Sequence, residues 1–291
     1  MKKSRKRLLI SSVAMLLVAM LALGTATFAW FTTSTTAHTQ NLSVQTTKAS
    51  TLTISKSTGG WGNLVDYNHG SSAILTLDPA STVLGGKTAG NWFNCTAAAG
   101  HESDGVADVT TIKTLTASDT GTAIGGFVFM EQLNVRNEGS AAVHNVKINF
   151  TLPDSEGYNY VRVALVPTTE QGTAVQDAYG TGKAFKDFVY ASNGTAYNGV
   201  KGTKTEGTDT VLDTESITPK NASAATFSID VTASGESLAA VTGTGDNKQY
   251  DARFYNLYVW FEGQDPQCIN ANAGQIIPDI VFTVTGDAVQ S

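Results

Sequence analysis

Two cysteines and four histidines limit the chemistry that this 291-residue chain can carry. The histidines are His38, His69, His101 and His144. No His-Glu-x-x-His occurs, so the two-histidine zinc face with its glutamate base is missing. His101, Glu102, Ser103 and Asp104 are consecutive and polar, but they lack metal-ligand spacing and read as a solvated loop. No Gly-x-Ser-x-Gly offers a nucleophile elbow, and no glycine-rich loop follows a strand to cradle phosphate. The chain therefore reads as a non-enzyme, with no catalytic or cofactor-binding residue assigned.

Calcium is the one cation its carboxylates suggest. Asp246 and Asp251 share an acidic stretch, and Glu262 and Asp265 flank a late apolar run. Clustered oxygens suit a hard cation, although EF-hand spacing is absent and solvated loops are the competing reading. Cys95 and Cys268 form no Cys-x-x-Cys. In an exported chain they either bridge or remain separate buried thiols. A bridge closing so long a loop would contribute about 5 kcal/mol at most. Trp61 and Trp92 lie in glycine-rich loops, where they would stack on sugars or cap a core. Trp260 sits in an apolar run and reads as core.

Charge narrows the partners. Lys2, Lys3, Arg5, Lys6 and Arg7 open the chain, and no acid precedes Asp66. Residues 30–291 hold 14 basic and 25 acidic residues, a net charge of −11. That argues against nucleic acid as a partner. The basic start is followed by an apolar run from Leu8 to Leu23 and then by small residues. Residues 1–29 thus read as a signal peptide cut between Ala29 and Trp30, with Thr27 and Ala29 as the small residues at −3 and −1 and a cut after Ala26 as the alternative. The alternative is an uncleaved anchor, since Leu8 to Phe31 could span a bilayer. A membrane is expected only through that uncleaved leader. The expected location is secreted, extracellular or cell-surface associated.

The stretch Leu21-Ala-Leu-Gly-Thr-Ala-Thr-Phe-Ala-Trp-Phe-Thr-Thr33 resembles the leader of the TasA–camelysin group. Those are secreted Gram-positive proteins processed by a SipW-type signal peptidase. Ser50-Thr51-Leu52-Thr53-Ile54 stands where the group has Gly-Thr-Leu-x-Leu, without the glycine. Tyr258-Val-Trp-Phe-Glu-Gly-Gln-Asp-Pro-Gln-Cys-Ile-Asn270 resembles a block in uncharacterised proteins with the same leader. The resemblance implies an all-β fold, a SipW-type peptidase as partner and a biofilm-matrix fibre subunit. Some camelysin relatives are described as metallopeptidases, an activity not expected here without His-Glu-x-x-His.

The elements read as β throughout. Leu42 and Val44 alternate with polar residues, as do Leu52 and Ile54, which marks strands with one buried face. The same pattern marks Leu133 and Val135, Val146 to Leu152, Val161 to Leu165, Phe227 to Val231, and Ile280 to Val284. Asn137-Glu138-Gly139-Ser140 is a turn, making either a hairpin or a sandwich corner. Phe254 to Phe261 is apolar on both faces apart from Asn256, as in a central strand covered on both sides. Residues 59–126 and 168–222 read as long loop excursions, the second with one short strand. The expected fold is an all-β sandwich of jelly-roll type with few short helices. It comprises a strand-prone segment, 30–50, and one domain, 51–291.

Two functions follow. Residues 30–58, with Leu42, Val44, Leu52 and Ile54 as the assembly strand, could add to a sheet edge of a neighbouring copy. Head-to-tail repetition would give a homo-polymer, or a mixed fibre with related matrix subunits. The other function is a surface adhesin or glycan-binding module using the long loops.

Overall fold

The computed structural model describes residues 42–47, 51–56, 60–67, 76–82, 92–94, 113–114, 127–152, 160–169, 182–183, 185–192, 197–218, 226–265, 268, 275–276 and 280–288. The chain divides into two units, Met1–Thr39 and Gln40–Ser291, and every described residue belongs to the second.

That unit is all-β. Its strands in chain order are β1 (Leu42–Thr47), β2 (Leu52–Ser55), β3 (Leu64–Asp66), β4 (Thr76–Leu77), β5 (Ala80–Thr82), β6 (Trp92–Asn94), β7 (Lys113–Thr114), β8 (Val128–Asn137), β9 (Val143–Thr151), β10 (Val161–Thr168), β11 (Val189–Ala191), β12 (Tyr197–Glu206), β13 (Asp209–Ile217), β14 (Thr226–Asp230), β15 (Ser237–Leu238), β16 (Ala252–Phe261), β17 (Gln275–Ile276) and β18 (Ile280–Ala288). Among the described residues, helix is confined to the 3-10 turns Phe185–Phe188 and Gly245–Asn247.

Two sheets face each other. Sheet A runs β14-β9-β18-β1-β3, with β15 also on β9, and sheet B runs β11-β10-β16-β8-β2. Alternation decides which side chains meet between them. Val146, Ile148 and Phe150 point inward from β9, and Phe282 and Val284 from β18; Val163, Leu165, Leu257 and Val259 come from sheet B to join them. Phe150 ties the layers together. Its ring lies 4.9 Å from Phe282 and 5.1 Å from Phe227 within sheet A, and 5.5 Å from Tyr190 of sheet B. Burial there pushes the Tyr190 phenol up to about 12.

The two-sided strand lies where its composition requires. β16 is the middle strand of sheet B, and its outward residues Tyr258 and Trp260 are buried in a second cluster. Trp92 of β6 packs edge-on against Trp260 at 5.1 Å, and Phe185 packs edge-on against Tyr258 at 5.3 Å. Parts of both loop excursions therefore cover the outer face of sheet B.

Of the two alternatives for the turn after Asn137, it is the corner between sheets, because β8 belongs to sheet B and β9 to sheet A. The buried Asn137 side chain holds this corner, donating to the carbonyls of Ala141 and Ala239 and accepting from Gly139 N–H. Two other details depart from the sequence expectations. The second excursion contains the long antiparallel ribbon β12–β13, closed by Gly207-Thr208 with Gly207 at φ 67. Glycine takes that left-handed conformation without strain, as a two-residue hairpin turn requires. Finally, β1 runs parallel to β18, a pairing foreign to the antiparallel jelly roll expected.

Candidate functional site

The segment read as an assembly strand is built into both sheets of its own chain. β1 pairs with β18 over six consecutive positions, from Leu42 beside Ile280 to Thr47 beside Thr285. Val44 sits beside Phe282 on that side and beside Val65 of β3 on the other. The β3 side is short, with three pairs. After four intervening residues the chain enters sheet B as β2, whose Leu52 and Ile54 are wholly buried. β2 pairs with β8, and its outer edge is closed by Ile54 and Gly62, which exchange backbone hydrogen bonds of 2.8 and 2.9 Å. Leu42 and Val44 thus line up with the C-terminal strand, while Leu52 and Ile54 serve the core.

The four calcium candidates do not converge. Asp251 precedes β16 and Glu262 follows it, with ten strand residues between them, or roughly 33 Å of extended chain. Asp246 is exposed near the first end. Asp251 accepts from the Ala239 N–H at 2.9 Å and pairs with Arg253. Asp265 makes a buried ion pair with Arg162. Among the described residues no group of three or more His, Cys, Asp or Glu could hold a metal ion. Asp251 is thus engaged by Arg253 and Asp265 by Arg162, at the two ends of β16, and the four carboxylates are not gathered into one ligand set.

Glu262 is the unusual member. It is wholly buried and accepts from Trp260 Nε1 at 3.0 Å and from Gln264 N–H at 3.1 Å. Burial raises its pKa above the ordinary carboxylate value, while the Trp260 and Ser81 hydrogen bonds and the Arg162 charge pull it back in part. The parallel bridge from Ala80 to Glu262 brings β5 alongside. This network pins the first excursion to the end of β16.

The two loop tryptophans, which the glycan reading invokes, are both engaged within the chain. Trp92 is 5% exposed inside the second cluster. Trp61 and Tyr250 sandwich the Arg136 guanidinium at 4.1 and 4.0 Å, and Glu138 accepts from Arg136 Nε at 2.9 Å. Arg136 therefore clamps the turn before β3 to the approach of β16.

Sequence reasoning missed Arg162 and Arg136. A visible signal for Arg162 was a lone cation inside the apolar run Val161-Arg162-Val163, matched by acids after a second apolar strand. Cys268 is buried in the core cluster, while Cys95, Ala29 and Trp30 lie outside the described residues, as do His38, His69 and His101. His144 is half-buried on β9.

Fold and site together define a two-sheet all-β protein in which, among the described strands, the first lies against the last. Comparison with family models, with curated proteins and with solved structures finds no match.

Proposed function

We propose that this protein is a secreted structural subunit of an extracellular fibre or biofilm matrix. In this reading a SipW-type peptidase removes residues 1–29, and subunits polymerise by exchanging β1. The observation that carries it is the six-position parallel ladder between β1 and β18. A first strand can leave its slot without dragging the chain through a loop. The slot it leaves displays the β18 backbone edge, and the identical β1 of a neighbour can remake every pairing in the same register. Since each copy gives one strand and receives one, the contact is head-to-tail and repeats into an open filament. The resemblance of residues 21–33 to TasA–camelysin leaders supports the same reading.

A disulfide lock tests it. Gln45 and Thr283 are register partners, so Gln45→Cys/Thr283→Cys places two thiols on adjacent strands within bridging range. Oxidised as monomers, the variant should stay monomeric by negative-stain microscopy; reduced, it should form filaments. Filaments growing equally well from oxidised protein would sink strand exchange. Monomers under both conditions, and from the parent chain, would sink the fibre reading itself.

A further inference from the structure

The two sheets treat their outer faces differently. Sheet B is covered by the second apolar cluster, whereas sheet A presents a regular polar grid. Three neighbouring strands, β14, β9 and β18, contribute residues to its rows. Thr226 pairs with Thr151, and Val281 lies around the same depression as both. Ser228, Asn149 and Thr283 form the next row, and Asp230, Lys147 and Thr285 the third. All nine are exposed or half-buried. The two charges cancel, with Lys147 Nζ 3.2 Å from Asp230. The first two rows border a depression of ≈ 520 Å³. Val281, 43% exposed, and Leu64, 61% exposed, are the large exposed hydrophobics among the described residues, and both belong to sheet A.

We propose that this face is a lateral contact between copies of the chain, joining one filament to the next. The inference rests on the fibre reading above. Charge selects the occupant. Residues 30–291 carry −11, so copies repel one another except where a face is neutral. The grid is neutral and also complementary to itself, because every hydroxyl both donates and accepts. A two-fold axis running across the strands sets Lys147 and Asp230 against Thr151 and Thr226 of the other copy, so no like charges meet. Area selects the setting. Three strands about 4.8 Å apart and three rows give on the order of 300 Å² per copy, well short of the roughly 800 Å² per partner of a stable complex. One such contact is too weak to hold a dimer. Repeated along two filaments, the contacts act together, and avidity makes the association stable.

The test uses filaments of the purified protein, imaged by negative stain. Parent filaments should lie side by side, more so as salt rises from about 0.01 to 0.15 M and the Debye length shrinks from about 30 to 8 Å. Thr226→Glu/Ser228→Glu, at two exposed edge-strand positions, should still give filaments but cut the bundled fraction about tenfold, since like charges then face each other. Val281→Glu/Thr283→Glu should do the same. Thr205→Glu/Thr208→Glu on the exposed ribbon tip adds equal charge elsewhere and should leave bundles intact. Single parent filaments, or bundles indifferent to both grid variants, would overturn the lateral contact while leaving the fibre reading standing. So would bundles equally dispersed by the ribbon control. Grid variants that bundle normally but lose a neutral polysaccharide bound by the parent would reassign the face to a glycan. No filaments from the parent would remove both readings together.

Discussion

Glu262 shows how one residue's surroundings can set the pH behaviour of the whole fold. Its carboxyl is wholly buried, and Asp265 already pairs with the nearby Arg162 guanidinium, so desolvation prevails and the pKa rises. In the unfolded chain the same group titrates near its ordinary value of 4.5. Between those two values the folded state binds more protons than the unfolded state, so stability falls as pH rises. The contribution is fully present below the unfolded value and is lost as pH climbs through the raised folded one. Glu262→Gln has no proton to bind. Denaturant unfolding across about pH 4 to 8 should show the parent gaining on the variant toward acid. A difference that stays flat with pH would mean that Glu262 is not held protonated by burial.

Gly286 makes the corresponding point for an element. It lies at the register shift of β18 against β9, between Thr285 and Asp287. A Cβ there would sit 2.6 Å from Val143 Cγ1 and 3.1 Å from Leu52 Cδ1, both in the closed core. The strand can pack this tightly against β9 and β2 because nothing projects from that position. Gly286→Ala should overpack the core and cost about 1–3 kcal/mol, read from the denaturation midpoint. An unchanged midpoint would show that the core yields there. Strands with one buried face were legible as alternation: β9, β14 and β18 all follow it, and the stretch Phe254–Phe261 of β16, apolar apart from Asn256, declared its two covered faces. The ribbon β12–β13 was not legible, because its glycine, threonine and alternately charged residues carry no apolar period. Nor could alternation tell which sheet a strand joins, and the chain changes sheets between β8 and β9. The site was legible in part for the same reason. Leu42 and Val44 announced a strand, but their pairing with Ile280 and Phe282 depends on contacts nearly the whole chain apart.

At the scale of the molecule, the connection between β1 and β2 controls whether subunits remain single. β1 ends at Thr47 in sheet A and β2 begins at Leu52 in sheet B. Five Cα steps span about 17 Å at most, and packed sheets lie about 10 Å apart. The connection is therefore short, with about 7 Å of reach beyond the sheet separation. Short connections of this kind favour exchange of the strand into the slot of an abutting copy over closure onto its own sheet. Inserting four Gly/Ser residues after Ala49 should relax the closed form and leave β1 on its own β18. Filament yield at fixed concentration should then fall several-fold, with the monomer accumulating on size exclusion. The same insertion leaves the grid on β14, β9 and β18 untouched, so the filaments that do form should still bundle. If yield is unchanged, residues 48–51 are not the hinge, and a fibre would have to grow by a contact other than exchange of β1.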